Sequence, residues 1–152
     1  MITIKKSPTA DTRTCDWSKV TKEQLIESSQ QHIHDVGKGL SHFAFLLMRA
    51  AGQHDHDKIS GIDQFHDDFK TGFEQTHWWD NHRKVNRHHI NMDDGVPEDV
   101  NLIDVIEHIV DCVMAGMARR GNVFDIQLAN KLLQKAVNNT TELLKENVTV
   151  EA

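Results

Sequence analysis

IHDVGKGLSHFAFLLMRA, residues 33 to 50, decides the fold class. Ile33, Val36, Leu40, Phe43, Leu47 and Ala50 recur in alternating steps of three and four, the spacing that lines one face of an α-helix. Thr21 and Gln24 upstream have capping-box spacing, so a long amphipathic helix is predicted over about 21–51. Gly37 and Gly39 disfavour a helix interior and predict a bend or a close helix contact there. Gly52 suits the C-terminal stop.

The same period continues on both sides of a polar middle. Ile62, Phe65, Phe69 and Phe73 predict a helix over about 60–74, and a short one is expected near 78–86. The polar and aromatic segment around it continues as a loop through Gly95 and Pro97. Asn101 and Asp104 resemble a helix start, and Gly121 a stop. In that helix Leu102, Ile106, Ile109, Val113 and Gly116 form the expected inner face, with Asp104, Glu107, His108 and Asp111 on the opposite arc. A last helix is predicted over about 125–146. Residues 1–20 carry no period and read as an irregular arm. No stretch alternates convincingly as a strand, so the expectation is all-α: a single compact domain of about five or six helices over 21–148.

The 152 residues suit one domain. Seventeen basic against 23 acidic residues give a net charge of −6, which argues against a general nucleic-acid or anionic-membrane binder. No apolar run approaches the roughly 20 residues of a membrane span. Cys15 and Cys112 frame no disulfide scaffold, and no signal-peptide pattern is present, so a cytoplasmic location is expected.

The excess is in histidine. Of eleven, ten fall between His32 and His89. Residues 52–60, GQHDHDKIS, place His54, Asp55, His56 and Asp57 consecutively at a helix border. Neutral imidazoles and carboxylates from several helices are what a borderline divalent ion takes in a hydrolytic site. His34, His54, Asp55 and Asp111 can supply such a set, and the repeat leaves His56-Asp57 open as the alternative pair.

The order H, then HD, then a distant D in a helical chain resembles the HD-domain superfamily of metal-dependent phosphohydrolases. HDHDK at 54–58 fits an HDxxK form. The gap from His34 fits a single helix. EHIVDCVMAGMARRG around Asp111 looks like the closing Asp helix of an uncharacterised HD-like family common in phage genomes, whose N-x-H-H stretch is matched by Asn86-Arg87-His88-His89. HHINMDDGVP, 88–97, is more weakly similar to the signature of the HD-GYP phosphodiesterases, departing from it at Ile90 and in lacking GYP.

The resemblance implies one or two divalent transition ions (Mn, Fe, Co, Ni or Zn) on His34, His54, Asp55 and Asp111, with a second position on His82, His88 and His89. It also implies a metal-acidified water acting on a nucleotide or another small phosphoester. Lys58, His88 and His89 are the residues expected to face phosphate, with Arg83, Lys84 and Arg87 adding charge to a phosphate-facing lid. Trp78 and Trp79 read first as packing residues. The competing reading is a non-catalytic metal-binding or interaction protein on the same scaffold, for example a phage accessory factor. Homo-oligomerisation is left open.

Overall fold

The computed structural model describes residues 1–7, 15–74, 77–91 and 96–151. The middle of the expected arm and the turn through Gly95 lie outside the described residues. The chain is all-α apart from one small sheet: β1 (Ile2–Lys5), α1 (Lys22–Gln53), α2 (His56–Ser60), α3 (Ile62–Lys70), α4 (Trp78–Val85), α5 (Leu102–Arg120), α6 (Asn130–Glu146) and β2 (Val148–Glu151). Among the described residues no helix is long and apolar enough to cross a membrane.

The chain divides into two compact units, Met1–Phe45 with Glu142–Ala152, and Leu46–Thr141. In the first, the start of the expected arm is a strand. β1 pairs in parallel with β2, Ile2 opposite Val148 through Lys5 opposite Glu151. Four residues are too few for alternation to register as a signal. The strand is tied to α1 by Gln31, whose Nε2 donates to the Lys5 carbonyl at 2.6 Å, and by Lys38, whose Nζ donates to the Thr3 carbonyl at 2.7 Å. The predicted cap of α1 is present: the Gln24 amide donates to Thr21 Oγ1 at 3.2 Å and the Thr21 amide to Gln24 Oε1 at 3.0 Å. α1 runs unbroken, and a Cβ at Gly37 or Gly39 would meet nothing within 4 Å, so close packing is not why they are glycine. Gly52 lies inside the helix rather than after it. The chain turns instead at Asp55, whose φ of 51° and ψ of 24° are left-handed, a conformation that Asp tolerates better than most residues.

The second unit has its apolar core in Ile90, Val100, Val105 and Ala136, with Leu102, Leu132 and Leu133 packed around it. α5 begins with the predicted capping box, Asn101 accepting from the Ile103 amide and Asp104 from the Asn101 amide. α6 is held to that start by Thr140, whose Oγ1 accepts from the Leu102 amide at 2.8 Å. α6 opens at Asn130, five residues later than predicted. Gly121, at φ 70°, ends α5 as expected.

The middle of α5 departs from its apolar pattern, although Leu102 and Val105 stay against the core. Ile106, Ile109 and Val110 are 42%, 40% and 54% exposed, while Asp104 and His108 are buried and Glu107 is nearly so. The polar arc turns inward because it has partners there. Asp104 accepts from Arg87 Nε at 2.8 Å and Nη2 at 2.9 Å, charge-assisted bonds that contribute roughly 1.5–3 kcal/mol each. His108 Nδ1 lies 2.9 Å from the His88 carbonyl oxygen and can donate to it. These contacts, with Ile90 in the core, clamp the segment carrying His88 and His89 against α5.

Candidate metal centre

Four elements of the second unit converge on one cluster. The turn after α1 supplies His54 and Asp55, α4 supplies His82, the clamped segment supplies His88 and His89, and α5 supplies Glu107 and Asp111. Among the described residues two sets of potential ligand atoms form, each within 4.8 Å of one another: His54, Asp55 and His88, and Asp55, His82 and His89. Asp55 belongs to both. These are clusters of His and Asp able to hold a metal ion.

The distances show how the side chains are aimed. His82 Nε2 lies 3.3 Å from Asp55 Oδ1, and His89 Nε2 lies 2.9 Å from His82 Nε2. His88 Nε2 is 3.5 Å from Asp55 Oδ1, and His54 Nε2 is 3.6 Å from Asp55 Oδ2. So His54, His82 and His88 all turn Nε2 inward, and their other nitrogens meet carboxylates. His54 Nδ1 is 2.9 Å and His88 Nδ1 3.1 Å from Glu107 Oε1, while His82 Nδ1 is 2.9 Å from Asp57 Oδ2. For His54 and His82 the carboxylate hydrogen-bonded to the outer nitrogen fixes ring and tautomer, the arrangement that metal-ligating histidines take. Asn86 steadies Asp57 through a 2.8 Å bond to Oδ1.

Three buried atoms here lack a hydrogen-bond partner: Asp55 Oδ1 and both ring nitrogens of His88, a residue only 1% exposed. Although His88 approaches Glu107 and Asp55 closely, neither approach has hydrogen-bond geometry. Buried polar atoms without partners cost roughly 1–3 kcal/mol each, and a cation between them would satisfy the inner two. The residues present therefore fit a divalent ion.

The electrostatics keep the carboxylates of the cluster ionised and His89 neutral. Burial works to raise the Asp55 carboxyl, but the Lys58 ammonium, with His54 and His82, outweighs it and holds the group below the usual carboxylate range. Glu107 is held low in the same way by His88 and His54 against its own burial, and Asp57 by Asn86 and His82. The His89 imidazole is pushed down to about 4, by burial first and then by His88 and His82.

A depressed histidine pKa contributes stability that is present above the unfolded value, about 6.5, and is lost as pH falls toward the folded one. Chelator-treated protein is thus expected to lose roughly 1–3 kcal/mol between pH 6.5 and 4, reduced for partial solvent screening. His89→Gln should flatten that interval of a Tm-against-pH curve. An equally steep curve in the variant would contradict the assignment.

The structure separates the expected residues. His54, Asp55, His82, His88 and His89 come together. Asp111 stands at the edge of the first set, its Oδ1 3.7 Å from His54 Nε2. His34 is in neither set. It lies in the first unit beside Met1, Thr3 and Lys38. Lys58 is bonded to Asp55 rather than free. His56 is exposed, its Nδ1 on the Gln53 carbonyl, while its neighbour Asp57 backs His82. Arg87 is neutralised by Asp104 and Asp99, and Arg83 is 3.0 Å from Asp80, so neither serves the expected phosphate-facing lid. Trp78 is packing, stacked on Phe65 and His82. Glu107 and Asp57 were not identified as supports, and their acidic side chains near so many histidines were the only signal. No family model, curated protein or solved structure matches the chain.

Proposed function

We propose that the protein is a metal-dependent phosphohydrolase in which two divalent ions share Asp55. The observation that carries this is the pair of three-residue sets with one carboxylate in common. Three protein ligands per ion leave coordination open, as catalytic rather than structural sites do. When bound, the ions would acidify a water and polarise a phosphoryl oxygen.

The chain's own residues do the rest. Glu107 and Asp57, hydrogen-bonded to the outer nitrogens of His54 and His82, hold those rings with their inner nitrogens turned toward the place of an ion. The buried side, with His82 and His88, keeps solvent out, while His54, Asp111 and Lys58 are each about one-third exposed and form the open side. In this reading Lys58 balances Asp55, and with an ion on Asp55 its ammonium would be available to substrate phosphate. The substrate in this reading is a small phosphorylated compound, a nucleotide above all.

The test is a screen of nucleoside mono-, di- and triphosphates and cyclic nucleotides with Mn, Co, Ni, Fe and Mg added separately. Hydrolysis is expected only with a metal, and Lys58→Ala should keep metal and helicity while lowering kcat roughly 10–1,000-fold. Metal-loaded protein that cleaves none of these would favour the non-catalytic reading.

A further inference from the structure

The two strands of the first unit differ at their outer edges. The Ile2 amide donates to the Asn147 carbonyl at 2.7 Å and the Lys6 amide to the Glu151 carbonyl at 3.0 Å. With Ile2 opposite Val148, the backbone groups of Asn147, Thr149 and Glu151 therefore face β1, and those of Ile2 and Ile4 face β2. The groups between them point outward. On β1 these belong to Thr3 and Lys5, and α1 takes both carbonyls through Lys38 and Gln31. On β2 they belong to Val148 and Val150, and among the described residues nothing bonds to them.

The side chains add to this opening. Alternation and register put Ile2, Ile4, Val148 and Val150 on one face of the sheet. Ile2, Ile4 and Val148 share a groove of about 320 Å³ with Val36 and Leu40 of α1. The face is covered at β1 and opens toward the edge of β2: Ile2 is buried, whereas Val150 is 56% and Leu40 65% exposed. Nor does the edge carry a proline or a lysine to discourage pairing. Its sequence is VTVE, and its one charge, Glu151, has Lys5 opposite in its own sheet.

We propose that the outer edge of β2 pairs antiparallel with the same edge of a second copy of this chain, joining two small sheets into one of four strands. The edge is complementary to itself. With a two-fold axis at Thr149, Val148 of each copy stands opposite Val150 of the other, and each such pair exchanges both of its backbone hydrogen bonds. Glu151 then faces Asn147 of the second copy, whereas a parallel, in-register pairing would set acid against acid. An axis normal to the sheet keeps the apolar faces on the same side, so Ile2, Ile4, Val148 and Val150 of both copies form one continuous face. Any extended peptide can bond to an open edge, but a second copy also brings this matching face. The pairing lies in the first unit and does not depend on the metal sites.

The experiment is sedimentation velocity of the full-length chain across a concentration series, with helicity measured on the same samples. The parent is expected to sediment as a dimer. Val150→Pro removes a donor that the chain's own ladder does not use, so it should raise the dissociation constant at least about tenfold with helicity unchanged. Val150→Lys keeps that donor but sets a charge on the shared apolar face, and it should weaken the dimer by a similar factor. It decides the matter if the proline variant loses helicity. A parent that stays monomeric throughout the series, or a dimer as tight in Val150→Lys as in the parent, would overturn the proposal.

Discussion

Asp55→Asn is expected to remove divalent ions from both sets at once, weakening metal affinity by more than about 100-fold, beyond the roughly 10–100-fold lost when an outer partner is changed. The reason is its place in both sets. Replacing any one histidine deprives only one ion of a ligand, while replacing the shared carboxylate deprives two. Asparagine is the informative substitute because Asp55 sits at φ 51°, which asparagine also tolerates, whereas a bulkier or β-branched residue would add backbone strain and confuse metal loss with misfolding. Metal content by elemental analysis, with helicity by circular dichroism, reads the outcome. A variant that retains two ions would exclude Asp55 as the shared ligand.

The second large effect separates the two ions. Glu107 lies behind His54 and His88, and Asp57 behind His82. Glu107→Gln is expected to weaken the ion on the His54 side roughly 10–100-fold, and Asp57→Asn the ion on the His82 side by a similar factor, because each variant frees a ring to rotate or to present the wrong tautomer. At limiting metal each variant should hold one ion where the parent holds two. Combining the substitutions should empty the protein. Identical loss of both ions from either single variant would show that the sets are not separable as drawn.

Much of the helical framework was legible in sequence because it rests on local chemistry. The three-and-four spacing from Ile33 to Ala50, the Thr21–Gln24 and Asn101–Asp104 caps and the Gly121 stop are each settled within one or two turns of chain, and each is present. β1 and β2 were not legible, since strands of four residues derive their stability from a partner almost 150 residues away. The facing of α5 was misread for a related reason. Amphipathic pattern assumes that the polar face meets water, and here Asp104, Glu107 and His108 meet Arg87, His54 and the His88 backbone instead.

The site divides along the same line. His54-Asp55 and His88-His89 stand out as adjacent pairs, and the structure brings both pairs into the two sets able to hold an ion. His34 was included because helical spacing says nothing of where a long helix leads, and it lies in the other unit. The sequence places His82 only at a second position, yet it is fully buried within one of the two sets. The supporting roles of Glu107 and Asp57 depend on which nitrogen each imidazole turns inward, a property of tertiary packing that no spacing encodes. The HDHD repeat is explained by that packing: its first Asp faces the two ligating sets, and its second holds a histidine from behind.

The most direct test is the metal content of the parent protein, stripped with chelator, reloaded with excess manganese or cobalt and freed of loosely bound ion by gel filtration. The account predicts two ions per chain, falling to none in Asp55→Asn. A reloaded parent that retains fewer than two, with its helicity intact, would contradict it.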